Sequence, residues 1–284
     1  MEALRASYGE YSSDSDSERD PTAPCDPTQI PISLPPPPLS LLHPPNSLGA
    51  FDYSVQIDQP KRVRSFPHVE GNFALHVYIP VIVPSAQRKD ISLFLKRVAR
   101  LLPVLHVVDV DVPLRDLIKD DQKFDQVVLG REFHVSLGRT VPIRVHQRDS
   151  MVGMLRQRLQ SHRRYCIDFT KWVVFVNDDY TRTFLSLEVT AGGLTEMKKQ
   201  IEAVNDVYRL HNLPEFYKDP RPHISIAWAV GDISDSLSKV IREETKMHHT
   251  IGDLSHKRLC SCVFSGILCK IGNKTFDICK VQEE

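Results

Sequence analysis

Two four-residue stretches, His134-Val135-Ser136-Leu137 and His223-Ile224-Ser225-Ile226, repeat one order of side chains: imidazole, β-branched, hydroxyl, aliphatic. In an extended strand successive side chains alternate between faces, so the imidazole and hydroxyl of each stretch project together while their aliphatic neighbours enter the core behind them. The chain has 12 histidines, enough to make a bare His-x-Ser/Thr match ordinary; His248-His249-Thr250 is one and is read as noise. A match with aliphatic residues at both other positions is expected only about a quarter of a time in such a composition, yet it occurs twice. One such motif alone reads as a satisfied strand histidine with a locally bonded serine. The matched pair reads as a catalytic set. With ordinary pKa values near about 6.5, one imidazole can accept a proton while the other gives one, and two hydroxyls can hold phosphoryl oxygens. That is equipment for in-line cleavage of a phosphodiester without a metal ion.

Rival chemistries have thinner support. Asp109/Asp111 and Asp178/Asp179 are close carboxylate pairs, but no histidine stands at a ligand spacing and there is no His-Glu-x-x-His. They read as a solvated strand face and an ordinary turn. Four of the six cysteines fall late, at Cys260, Cys262, Cys269 and Cys279, without a Cys-x-x-Cys. They read as reduced thiols in a hairpin rather than as a zinc site. No metal or cofactor is expected.

The elements that must carry the two motifs follow from periodicity. Asn72–Pro80 alternates Phe73, Leu75, Val77 and Ile79 on one face and reads as a strand stopped by Pro80. Asp90–Leu102 carries apolar residues at helical spacing, with Asp90 as N-cap. Val104–Val112 and Arg131–Gly138 read as strands, and Asp149–Arg164 as a helix. Strands Ile167–Val176 and Thr183–Thr190 are joined by the polar turn Asn177-Asp178-Asp179. Leu194–Leu210 reads as a helix, His223–Val230 as a strand and Ile233–Thr245 as a helix. From about Leu259 a final hairpin turns at Gly272-Asn273. Strands and helices in alternation, with hairpins among them, predict an α+β fold.

Composition sets the frame. The 284 residues carry 36 basic and 36 acidic side chains, and 41% are hydrophobic, which excludes a wholly disordered chain or a disulfide miniprotein. Residues 1–60 hold nine acidic side chains against Arg5 and Arg19, and 11 of the 20 prolines, including Pro35–Pro38. They predict a disordered tail with a serine–acid run at Ser12–Asp20. Residues 61–284 are then a mildly basic folded body, entered through Lys61-Arg62-Val63-Arg64. The longest apolar runs, Val77–Pro84 and Trp172–Val176, are too short to span a bilayer. A soluble intracellular protein without membrane contact, monomeric by default, is expected.

Further segments occur in order along the body: Arg64-Ser65-Phe66-Pro67-His68, Gly71-Asn72, His76-Val77-Tyr78, Phe133-His134, Thr181-Arg182-Thr183-Phe184, Leu187-Glu188-Val189-Thr190, Phe216-Tyr217 and Asp219-Pro220. With the double motif, the series resembles the 2H phosphoesterase superfamily, and within it the 3′-to-5′ exonucleases that trim the oligouridine tail of U6 snRNA. The resemblance implies a bilobal, LigT-like fold with pseudo-two-fold symmetry, two antiparallel sheets with outer helices around a central groove. It also implies a nuclear, metal-independent RNA phosphodiesterase acting on a single-stranded, uridine-rich 3′ end. One histidine would deprotonate the ribose 2′-OH and the other protonate the departing 5′-oxygen, leaving a 2′,3′-cyclic phosphate. Position along the chain leaves open which of His134 and His223 is the base. Ser136 and Ser225 would bind the nonbridging oxygens. By the same carry-over Tyr217 would stack on a base, Asp219, Pro220, Arg221 and Pro222 would line the nucleotide pocket with Val135 and Ile224, and Asn177 and Asp178 would reach the uracil. Asp178 stands where relatives often carry an amide. A cyclic or 2′,5′-phosphodiesterase acting on small nucleotides, or an RNA-binding module without turnover, would use the same groove.

Overall fold

The computed structural model describes residues 69–160, 164–249 and 258–281. The acidic tail, the Lys61–Arg64 cluster and the Arg64–His68 segment lie outside the described residues.

Among the described residues, ten strands form two five-stranded antiparallel sheets. The first sheet is built on β1 (Asn72–Ile82). One edge of β1 pairs with β3 (Glu132–Ser136) and then β4 (Val141–Arg144). The other edge takes β9 (Gly266–Ile271), which in turn pairs with β10 (Lys274–Lys280) across Gly272-Asn273. The second sheet runs in the order β2 (His106–Val107), β7 (His223–Val230), β6 (Arg182–Val189), β5 (Cys166–Val176) and β8 (Cys260–Val263). Inward residues such as Leu75, Val77, Ile79, Val135, Leu137, Ile224 and Ile226 are fully buried, as the alternation of each strand requires.

The long helices exchange sides. Helix α1 (Ser85–Leu101) follows β1 yet lays Phe94 on Trp172 of β5 in the other sheet, ring centroids 4.4 Å apart. It is tied to α6 (Ser234–His249) through Arg97 and Glu244 at 2.9 Å. Conversely, α5 (Leu194–Leu210) follows β6 of the second sheet, but its Tyr208 hydroxyl donates to the carbonyl of Arg139 just beyond β3, at 3.0 Å. Helix α4 (Arg148–Leu159) packs beside α5 and against β10, where Arg156 Nε donates to the Asp277 carbonyl. Each sheet is thereby covered by a helix that the other sheet's strand delivers.

The α+β reading and most elements stand, with informative departures. Strand β1 continues through Pro80 to Ile82, with Pro80 opposite His134. Strand β9 leaves β1 at Tyr78, so at Pro80 the missing N–H falls on an edge with no neighbour to receive it. Helix α1 begins at Ser85 behind Pro84 rather than at Asp90, because Ser85–Lys89 helicate without adding to the buried face. The stretch expected as strand Val104–Val112 pairs only at His106–Val107; Asp109 and Asp111 have φ of 67° and 57°, which breaks the ladder. Residues 114–129 form two four-residue helices, α2 (Leu114–Leu117) and α3 (Asp121–Phe124), and a π-helical turn. Cys260–Val263 does not open the final hairpin but joins the second sheet beside β5.

Candidate active site

Strands β3 and β7 run beside each other where the two sheets meet. This brings together the His-x-Ser motifs, which are 89 positions apart in numbering from His134 to His223. His134, Ser136, His223 and Ser225 are all half-buried, while Val135, Leu137, Ile224 and Ile226 are sealed beneath them. The two imidazoles lie near enough for the charge of His134 to oppose protonation of His223.

His223 is held by two contacts. Its Nδ1 lies 2.7 Å from the carbonyl oxygen of Arg221; a carbonyl only accepts, so Nδ1 carries the proton and Nε2 of the neutral ring is the bare nitrogen. The ring stacks on Phe175 of β5 at 4.0 Å and 22°. Burial is the main force lowering its pKa below the ordinary 6.5, and the hydrogen bond to Arg221 partly offsets it. His134 meets two rings from β1: His76 edge-on at 5.0 Å and Tyr78 at 5.8 Å.

Each serine is backed from the adjoining strand. Ser136 Oγ lies 2.9 Å from Nε2 of His76 on β1, and Ser225 Oγ lies 3.0 Å from Ser186 Oγ on β6. Ser186 is fully buried. Two imidazoles of opposable protonation state and two oriented hydroxyls can therefore surround one tetrahedral phosphorus, transfer a proton at either side and stabilise charge on its oxygens.

Beyond the two motifs lies a cluster from three segments. Tyr217 has 47% of its surface exposed. Its hydroxyl donates to both carboxylate oxygens of Asp178 at 3.3 Å, and the Arg139 guanidinium sits over its ring at 4.1 Å. Arg139 also donates to Asp178 at 2.9 Å. Asn177, by contrast, is turned into its own hairpin, donating to Thr181 and accepting from the amide of Arg182.

Other expected nucleotide-binding residues are placed as follows. Asp219 is exposed and Pro220 half-buried. Pro222 is buried, and its carbonyl accepts from the amide of Val189. Val135 and Ile224 have 0% exposure, so, against expectation, their side chains line no pocket. The Arg221 guanidinium, expected to line the nucleotide pocket, is engaged by both oxygens of Glu188 at 2.5 and 2.9 Å and lies over Phe175. It thus braces the support of His223. Sequence reasoning did not single out Arg139, Phe175, Glu188 or Ser186 as working residues. Arg139 offered a signal in being a cation three positions after Ser136; the others are identified only by strand register.

Among the described residues no three His, Cys, Asp or Glu side chains are grouped as metal ligands would be. Asp109 is bound to Arg131 at 2.8 Å. Burial pushes the Cys260 and Cys262 thiols up to about 11 and about 12, far from the range of a nucleophile.

Comparison with known proteins agrees with the motif. Residues 35–279 match a family described as an uncharacterised conserved protein and labelled HVSL, the sequence of His134–Leu137 here. U6 snRNA phosphodiesterase 1 of Xenopus laevis is 32% identical over 249 residues, covering 86% of this chain and 88% of that protein. The Bos taurus protein of the same name is 31% identical over 246 residues, covering 86% and 83%. The structure of Kluyveromyces marxianus Usb1 with uridine monophosphate superposes with a TM-score of 0.48 at 16% identity, over 73% of this chain and 97% of that one. By identity and coverage of the sequence relatives, then, the chain belongs to the U6 snRNA phosphodiesterase family.

Proposed function

We propose that this protein is a 3′-to-5′ RNA exonuclease that shortens a uridine-rich 3′ end in the nucleus, the U6 snRNA named for its relatives being the substrate. The observation that carries the proposal is the apposition of two His-x-Ser strands, one imidazole fixed as a proton acceptor. His223, neutral and with Nδ1–H bound to the Arg221 carbonyl, takes the 2′-OH proton at Nε2. The 2′-oxygen attacks the adjacent phosphorus in line. His134, on the opposing strand, gives its proton to the departing 5′-oxygen, which leaves with the terminal nucleoside. The shortened RNA ends in a 2′,3′-cyclic phosphate. Ser136 and Ser225 donate to the nonbridging oxygens as charge builds there, and Tyr217 with Arg139 and Asp178 meets the terminal base.

The test is trimming of a short 3′-uridine RNA in EDTA, with product ends read by mass spectrometry. His134→Ala and His223→Ala should each lower the rate by roughly 100-fold or more while the protein stays folded. Replacing the penultimate 2′-OH by hydrogen should block release of the terminal nucleoside. Normal trimming by either variant, or of the deoxy substrate, rejects the mechanism. Binding of the RNA without any turnover by the unmodified protein would instead identify a non-catalytic module.

A further inference from the structure

The roles proposed above leave the half-buried imidazole of His76 without a task. His76 projects from β1 on the same side as His134 and Ser136. Its Nε2 is 2.9 Å from Ser136 Oγ, its edge meets the His134 ring at 5.0 Å and 86°, and its face lies along Tyr78 at 5.0 Å and 24°. A serine hydroxyl has one proton and two acceptor positions. If His76 accepted that proton, Ser136 would turn only lone pairs toward an anionic phosphoryl group and repel it. If His76 donates, a lone pair of Ser136 is used inside the protein and the hydroxyl proton is left to point outward.

We propose that His76 is a positioning residue that donates Nε2–H to Ser136 Oγ and thereby aims the serine proton at the phosphoryl oxygen. The inference rests on the reaction proposed above.

Two further observations support it. The second motif has the same device: Ser225 is backed at 3.0 Å by Ser186 from β6, the strand that adjoins β7 as β1 adjoins β3. One backing group is an imidazole and the other a hydroxyl, so the shared property is a hydrogen bond rather than a base. His76 is also built to stay neutral. Burial, and secondarily the charge of His134, bring its pKa down to about 3, against a smaller pull from Asp109. A neutral ring has one N–H to give, and it places no second cation beside the histidine proposed as the acid.

Steady-state trimming by a set of variants tests the idea. His76→Phe keeps an aromatic ring of similar volume without the donor, His76→Gln keeps a donor near the Nε2 position, and Ser136→Ala removes the acceptor. The expectation is an about tenfold lower kcat for His76→Phe with KM within about twofold. His76→Gln should recover much of that loss. In a Ser136→Ala background, His76→Phe should cost nothing more, because both changes remove one interaction. Should His76→Phe fail to fold, His76→Leu takes its place in the cycle. Undiminished kcat for the donor-free variant, or an equal loss with and without Ser136, overturns the inference. Full activity of Ser136→Ala alone overturns the reading of the site instead, and it does so without any change at position 76.

Discussion

A single bond to the backbone of Arg221 decides which nitrogen of His223 can work, and the surrounding burial decides when. Because its pKa is lowered from 6.5, the imidazole is in its neutral, proton-accepting form through neutral pH and loses that form only below 6.5. The profile of kcat/KM against pH should therefore fall on its acid side with a midpoint under 6.5; a midpoint above 6.5 would contradict the assignment of His223 as base. His76 makes a second pH argument, about stability. Its pKa is near 3 in the folded protein against 6.5 for the ordinary group, so the unfolded chain binds the extra proton between those values. The folded state has its full advantage above about pH 6.5 and loses it as pH falls toward 3, by at most about 1.4 kcal/mol per pH unit. Denaturant unfolding at pH 7 and pH 5 should show a larger drop for the parent protein than for His76→Phe. Both His-x-Ser motifs were legible in the sequence because each is local. The task of His76 was not: it depends on Ser136, 60 residues away, and only the pairing of Tyr78 with Ser136 brings the two together.

At the scale of elements, helix α5 presses on the turn that leaves β3. A Cβ on Gly138 would stand 2.9 Å from the Tyr208 hydroxyl and 3.0 Å from a Val204 methyl, and the same hydroxyl bonds the Arg139 carbonyl. Two variants probe this buttress by urea unfolding. Gly138→Ala overpacks it and should lower stability by about 1–3 kcal/mol, while Tyr208→Phe removes one hydrogen bond and should lose about 1 kcal/mol. Equal stability of Gly138→Ala and the parent would mean that the turn is free to move away from α5. Elements with a long apolar period were readable to the residue, as α5 at Leu194–Leu210 and β7 at His223–Val230 show. Residues 114–129 were not, since a helix of four residues is too short to display a period. The four-residue β4 and the two-residue β2 escaped or were overextended for the same reason.

The whole molecule is closed by exchange. The family resemblance implied two lobes, yet the sequence could not show that β1 finds one neighbour, β9, nearly 200 positions downstream, because strand partners that far apart leave no local mark. Helices α1 and α5 each cross to the opposite sheet, so neither sheet owns a continuous piece of chain. Removing residues 266–284 should consequently abolish the cooperative thermal unfolding seen by circular dichroism, through loss of β9 and β10 and exposure of the β1 edge at Leu75–Tyr78. A cooperative melt in the shortened chain would show that β9 is dispensable. The late arrival of β9 has a further consequence during synthesis. On the ribosome β1 emerges well before β9, and one of its edges stays unsatisfied until residues 266–271 have cleared the exit tunnel. The nascent chain must carry that sticky edge while all the residues between β1 and β9 are made, an opportunity for holdase chaperones on the strand that also supports Ser136.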